Sequence, residues 1–487
     1  MRVFTTLLLS LAFASLASTR VALADFDAGL EAYNRGDYKA AFDQFKEAAE
    51  QGDARAQFYL AESYNGGQGT IQDYSEALNW YRKAAEQLNP EALDKLCSAY
   101  FYGENIIRKD EVEAAKMCAA AGRKGKAGAA FLGAYLYDLG KGVPADAKQA
   151  AELYRIAAES GNLDAQEILG SMYFNGRGVQ QDYAEAAKWN AKAAEQGRPY
   201  AQYLMGYHYD LGRGMQQDYV EAAKWYQKAA DQGNAGAMSA LGYLYSQGRG
   251  VPKNEAEALK YYLMAVEKDE TSVYAPLAWA YYQGAGTQQN NAEAAKWFRK
   301  SAELGDSNSQ YMLGYLLEDG KGIGQDYAEA AKWYRKAAEQ GLVGAQESLA
   351  RLYFSGQGVQ QDYAEAAKWY RVPAEQGSTG AQYLLGYILE SGKGMPADTA
   401  QAAKWYTMAA DKGDTRAQLA LGYLLADPKN GKPDLLTAHM WSNLAAANLT
   451  GSDRKAAEQQ RNYIASKLSP EQLRRAQQMA RDWRPKK

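Results

Sequence analysis

The sequence predicts an all-α chain, a right-handed α/α superhelical solenoid of about twelve antiparallel helix pairs. Three observations carry that reading. Tryptophans at 189, 225, 297, 333, 369, 405 and 441 fall on one 36-residue lattice, with Met117, Leu153 and Tyr261 at other points of it. A fixed internal period of this length marks a stacked-repeat architecture and overrides the domain count that 487 residues would suggest. Each period also contains two runs with apolar residues at helical spacing, and the alternating β-branched runs of strands are missing. A Gly-x-Gly string separates the two runs, as at Gly212 and Gly214.

The segment from Ala201 to Gly233, AQYLMGYHYDLGRGMQQDYVEAAKWYQKAADQG, shows the elements in order. Its first helix places Met205, Gly206 and Tyr209 on one face. The glycines then permit backbone angles that stop a helix. Asp218 begins the second helix by accepting from its free amides, and Glu221 is placed to reach back as a capping box. The same pair recurs at Asp182 and Glu185, Asp326 and Glu329, and Asp362 and Glu365. The second helix carries Ala222, Trp225, Tyr226 and Ala229 on one face and ends at a Gln-Gly or Lys-Gly step, such as Gln232-Gly233 or Lys412-Gly413. A lone pair buries one side only, so neighbouring pairs must stack. The first pair, about Phe26 to Gln51, uses the shorter turn Asn34-Arg35-Gly36-Asp37. Pro373 stands within a second helix, where it predicts a kink.

Residues 1–24 read as a secretory signal: Arg2, an apolar stretch from Leu7 to Leu16, then Ala22-Leu23-Ala24, with Asp25 first in the mature chain. The stretch is too short for a permanent span, and no second apolar run of spanning length follows, so no membrane span is expected in the mature chain. This predicts a periplasmic or secreted bacterial protein. Residues 25–450 form the repeat array, and 451–487 two polar helices that cap it, the second announced by Ser469-Pro470. The formal charge of −3 provides no basic field for phosphate backbones, which argues against nucleic-acid binding.

Catalytic chemistry finds no constellation. His208 and His439 are the only histidines and lie more than six repeats apart. Glycine strings such as Gly320-Lys321-Gly322-Ile323-Gly324 join helices rather than following a strand, and so are turns, not phosphate loops. No catalytic residue, metal site or cofactor is expected, and the protein is predicted not to be an enzyme.

Segments such as AQYLLGYILESGKGM and DYAEAAKWYRKAAEQG resemble the Sel-one-like repeat, a 36-residue relative of the tetratricopeptide repeat, over nearly the whole mature chain. The resemblance implies an adaptor or scaffold that binds ligands on the surface lined by first helices. In tetratricopeptide-like packing the positions of Cys97 and Cys118, the only cysteines, face each other across one pair. Either an intra-repeat disulfide or two buried free thiols fits them. A cysteine-rich branch of the family bonds every pair and includes members linked to penicillin binding. One possible bond here weakens any such carry-over.

On the first helices, the position after Gly206 and its equivalents reads Tyr207, Tyr243, Trp279, Tyr315, Arg351, Tyr387 and Tyr423. Tyr203, Tyr311 and Tyr383 lie four residues earlier, and Asp210, Glu318, Asp319 and Glu390 three or four later. Such a row serves either as core or as a ladder of hydrogen-bonding aromatic anchors flanked by acids. The expected function is an exported scaffold that binds a protein or peptide partner through these residues. The alternative is a carbohydrate- or peptidoglycan-binding accessory protein of the cell envelope.

Overall fold

The computed structural model describes residues 26–486, so the signal reading for residues 1–24 lies outside the described residues. Among these residues every regular element is helical. The chain forms two compact units, one ending at Lys253 and one beginning at Asn254.

The first unit contains α1 (Phe26–Asn34), α2 (Tyr38–Glu50), α3 (Ala54–Gly66), α4 (Tyr74–Glu86), α5 (Pro90–Tyr102), α6 (Glu111–Arg123) and α7 (Ala127–Leu139). It continues with α8 (Ala147–Glu159), α9 (Leu163–Asn175), α10 (Tyr183–Glu195), α11 (Pro199–Leu211), α12 (Tyr219–Asp231) and α13 (Ala235–Gln247). The second contains α14 (Glu255–Val266), α15 (Tyr274–Gln283), α16 (Asn291–Glu303), α17 (Ser307–Asp319), α18 (Tyr327–Glu339) and α19 (Val343–Ser355). After these come α20 (Tyr363–Glu375), α21 (Thr379–Ser391), α22 (Thr399–Asp411), α23 (Thr415–Ala426), α24 (Leu435–Asn448), α25 (Gly451–Ala465) and α26 (Pro470–Asp482). Odd and even helices up to α24 are the expected first and second members, and within each unit consecutive helices as far as α25 pack on one another.

Local chemistry explains the uniform lengths. At the start of α12 the Asp218 carboxylate accepts from the amides of Val220 and Glu221, and Asp182 and Asp362 do the same for α10 and α20. The expected capping box is only half formed. Glu185 and Glu221 turn outward to Lys188 and Lys224, while Glu329 and Glu365 accept from the indoles of Trp333 and Trp369. A cation or an indole one turn along outcompetes the backbone amide. The complete box belongs to Ser469 and Gln472, at the start of α26.

Gly212 ends α11 in the left-handed region at φ 65°. Gly214, at φ 79°, has a second duty: a Cβ there would lie 2.1 Å from the Tyr183 carbonyl oxygen of the preceding pair. The turn glycine is thus also a stacking contact. Glutamines seal the opposite ends of the pairs. Gln202 donates to the Ala194 carbonyl at 3.2 Å, and Gln232 donates to the Gln202 side-chain oxygen at 2.8 Å. Gln340 and Gln310 repeat the link at 2.8 Å.

Pro373 does not end its helix, which runs from Tyr363 to Glu375 with the same 13 residues as α18. Its ring is buried, and the bonds from Gln376 to Val372 and from Ser378 to Pro373 close the helix beyond it. At the end of the second unit, α25 packs on α24, and α26 brings Trp483 edge-on to Trp441, with ring centres 5.8 Å apart.

Candidate partner-binding face

The aromatic row lies on the first helices and none of it enters the core. Tyr243 and Tyr423 are 44% and 43% exposed, and Tyr203, Tyr207, Trp279, Tyr311, Tyr315, Tyr383 and Tyr387 are half-buried. In the first unit, Tyr207 meets Phe174 of the preceding first helix, with ring centres 5.8 Å apart. In the second, Tyr387 meets Phe354 at 5.9 Å and Trp279 meets Phe298 at 5.3 Å.

A cation covers much of this row, and it comes from the middle of the Gly-x-Gly turn. Arg213 lies over Tyr183, Phe174 and Tyr207 at 5.3, 5.5 and 5.9 Å. Arg249 lies 5.5 Å from both Tyr219 and Tyr243. Lys393 lies over Tyr363 and Tyr387 and donates to the Tyr387 hydroxyl at 2.9 Å. Cations over ring faces are held by the ring quadrupole, so these side chains order the row. From the sequence these glycine strings were assigned to turns, with no role given to the residue between the glycines. The signal was present, since Lys141, Arg177, Arg213, Arg249, Lys321 and Lys393 are all basic.

Behind the row, the inner tyrosines lean on a buried tyrosine of the second helix. Tyr203 with Tyr226, Tyr311 with Tyr334, and Tyr383 with Tyr406 have ring centres 5.8, 5.7 and 5.9 Å apart. The buried rings lie on the first-helix glycines; a Cβ on Gly206 would meet Tyr226 at 2.4 Å.

Glu318 and Glu390 have an intramolecular role that spacing did not reveal. Glu318 accepts from the Tyr334 hydroxyl at 2.8 Å, Glu390 from Tyr406 at 2.7 Å and Asp210 from Tyr226 at 3.3 Å. Burial, then the carboxylate beside it, drives the Tyr334 hydroxyl far above its ordinary pKa. Glu318 also takes the guanidinium of Arg351, which stands where an aromatic would continue the row. These acids satisfy buried hydroxyls first and leave only part of their oxygen surface to a partner. Tyr423 is likewise engaged, donating to the Ala456 carbonyl of α25 at 3.4 Å.

The structure joins Cys97 of α5 to Cys118 of α6 in a disulfide, with Cα atoms 4.6 Å apart. The two residues take the places that Gly206 and Tyr226 hold in their pair, where the same close approach of helices is filled by a ring. His208 is buried and packs rather than titrates at the surface. Its Nδ1 faces the Arg213 carbonyl at 2.8 Å, and burial lowers its pKa. His439, also buried, lies in the other unit. No group of three or more His, Cys, Asp or Glu among the described residues could hold a metal ion, and no helix among them is long and apolar enough to cross a membrane.

A family model described as the Sel1 repeat matches the chain at 54–87, 90–126, 127–162, 163–197, 199–234, 235–270, 275–306, 307–342, 343–378, 379–414 and 415–448. Among solved structures, c5321, a protective antigen of uropathogenic Escherichia coli strains displaying an SLR fold, is 32% identical. The alignment covers 91% of this chain and 94% of that one with a TM-score of 0.61. A Sel1 repeat protein from Oxalobacter formigenes is 32% identical over 52% of this chain and 95% of its own, with a TM-score of 0.42. No match is found among curated proteins. Sel1 and related repeats generally mediate protein–protein interaction, and the Sel1 scaffold is generally non-catalytic. With repeat after repeat matched from residue 54 to residue 448, the chain belongs to the Sel1 repeat family.

Proposed function

We propose that this protein is an exported scaffold that holds an extended segment of a protein partner against the aromatic row of its first helices. The observation that carries the reading is the half-exposure of that row. Large aromatic side chains recur in most repeats outside the core, and Tyr207, Tyr243, Trp279 and Tyr387 are each held by a neighbouring ring or a turn cation. Ordered amphipathic rings bind at low entropic cost, which is why interfaces are enriched in them. The export reading rests on the signal-like residues 1–24, and it is in keeping with the description of the Escherichia coli relative as a protective antigen.

The test is capture of cross-linked partners from the envelope fraction, with Tyr315→Ala and Tyr387→Ala beside the wild type and a glycan array in parallel. Each substitution should weaken capture by about 1 to 3 kcal/mol, the range for interface aromatics, while melting changes little. Unchanged capture by folded variants, or a stability loss of several kcal/mol as for core residues, would remove the row from the binding surface. Binding to glycans alone would favour the carbohydrate-binding alternative. Intact mass of the captured protein, starting at Asp25, checks export.

A further inference from the structure

In several helix pairs a lysine covers the indole at the lattice position. Lys192 and Lys228 of the first unit lie over Trp189 and Trp225 at 4.1 and 3.9 Å, and Lys300 and Lys336 of the second lie over Trp297 and Trp333 at 4.5 and 4.2 Å. A lysine three residues on lays its aliphatic stem along the ring and keeps its charge in water, which closes the apolar surface. In α20 and α22 that lysine is missing. Val372 and Met408 stand in its place, 39% and 42% exposed. Trp369 and Trp405 beside them are half-buried, whereas Trp297 and Trp333 are buried. Lys368 approaches Trp369 at 5.6 Å, and among the described residues no cation lies over Trp405. Lys412 at the end of α22 donates to the Gly377 carbonyl at the end of α20 at 2.9 Å, so the two helices present these four side chains as one apolar strip.

One missing carboxylate sets the charge beside the strip. In α18, Glu329 accepts from Arg299 of α16 at 2.5 Å and from the Trp333 indole at 3.2 Å. Glutamates at the same place hold Lys188, Lys224, Lys296 and Lys368. In α22 the place belongs to Gln401, which donates to Asp398 at 2.7 Å. The three donors that a glutamate would serve there are left over. Arg371 and Lys404 are exposed and make no ion pair among the described residues, and the Trp405 N–H finds no acceptor in the chain while remaining open to solvent. Of the acids nearby, Glu365 is held by Lys368 and Trp369, Asp411 holds Lys486, and Glu375 lies beyond, at the end of α20.

The neighbouring pair shows what kind of element closes such a surface. On α24 the lattice indole, Trp441, is buried, because α26 packs across the helix and sets Trp483 edge-on to it. α26 is amphipathic, with Ala476 and Ala480 buried. Its Arg474, Arg475 and Arg481 are tolerated because α24 carries no Lys or Arg. Over α20 and α22 the same helix from a second copy would bring like charge to Arg371 and Lys404, whereas a helix edged with carboxylates brings the missing acceptor.

We propose that α20 and α22 form a second docking surface, apart from the first-helix row, for an acidic amphipathic helix of a partner protein. Its apolar stripe lies over Trp369, Val372, Trp405 and Met408. One of its carboxylates takes Arg371, Lys404 and the Trp405 N–H, as Glu329 takes Arg299 and Trp333 in the chain itself.

The probes are two fluorescein-labelled helical peptides that share one leucine stripe, flanked by glutamates in the first and by lysines in the second, titrated with the mature full chain and read by anisotropy. The glutamate peptide should bind saturably, and the lysine peptide at least about tenfold more weakly, because its charge meets Arg371 and Lys404. Val372→Lys with Met408→Lys, which restores the lysine of α16 and α18, should abolish binding and keep the melting temperature. Gln401→Glu, which gives the three donors an acceptor of their own, should weaken binding severalfold. Tyr315→Ala and Tyr387→Ala should leave it unchanged, so the row and this surface are read separately; a fall in peptide binding there would move the probe to the row and overturn the proposal. Equal binding of the two peptides, no binding by the wild type, or undiminished binding by the folded double-lysine variant would also overturn it. So would attachment to phosphatidylglycerol vesicles without peptide binding, or self-association that Met408→Lys removes. Should the double variant fail to fold, unchanged binding by Gln401→Glu would decide against the surface.

Discussion

Single residues in this repeat serve two ends at once, and paired substitutions can separate them. Gly214 and Gly233 both hold positive φ, at 79° and 87°, but only Gly214 has backbone within 4 Å of where a Cβ would stand. Gly233→Ala should therefore cost only the left-handed conformation, about 1 to 2 kcal/mol. Gly214→Ala must in addition push α11 away from Tyr183, and should cost at least twice as much; equal losses in urea titrations would show that the stack yields freely. The buried tyrosines offer a second contrast. Tyr334 donates to Glu318, whereas the Tyr370 hydroxyl is buried without a partner because Phe354 stands where the acid would be. Tyr334→Phe should lose about 1 to 2 kcal/mol, near the value of a hydrogen bond to a charged group. Tyr370→Phe should be neutral or stabilising, and denaturant midpoints of the two variants decide the matter.

At the level of the helix pair, the same close approach is filled by a tyrosine or phenylalanine ring on glycine, by an asparagine or a serine on glycine, and by a disulfide. Alanines line the rest of the seam, with Ala222 and Ala229 fully buried, so two helices pack closely with little side-chain volume between them. The pair α5–α6 has no ring at this point, and its covalent link closes a loop with a sequence separation of 21. In the chain-entropy model such a loop is worth roughly 3 kcal/mol. Reduction should lower the unfolding midpoint, with amide exchange rising first in α5 and α6. Non-reducing peptide mapping of the isolated protein should recover the two cysteines in one fragment pair; two alkylatable thiols there would contradict the bond.

Over the whole molecule, stability in a stack of repeats comes from each pair and its neighbours, so local damage should stay local. The two histidines give a probe of this that needs no mutation. Burial lowers the pKa of both His208 and His439 below the ordinary 6.5. Above that pH both are neutral whether folded or unfolded, and they contribute no pH dependence. As pH falls through 6.5 the unfolded chain takes up protons that the folded chain refuses, so stability declines. Melting temperature should fall between pH 7 and pH 5.5, above the range where carboxylates titrate. His208→Gln should flatten the slope, and an unchanged slope would mean that His208 is protonated in the folded state.

The period, the helix pairs, their caps and the start of the final helix at Ser469 were legible in the sequence, because each depends on residues a few positions apart: Asp218 on its own amides, Gly212 on its own φ. The row from Tyr203 to Tyr423 was legible as a row, since a 36-residue period returns equivalent residues to equivalent faces. Its meaning was not. Whether Glu318 met solvent or the Tyr334 hydroxyl, and whether Arg213 pointed away or lay over three rings, depended on residues 16 and up to 39 positions distant. The capping glutamates were misread although their competitors, lysines three and indoles four residues on, stand close in sequence, because spacing shows which donors are within reach and not which of them wins. Periodicity determines which residues share a face. Only tertiary packing decides which atoms meet there, because a hydrogen bond or a ring contact is won by the nearest competitor in space.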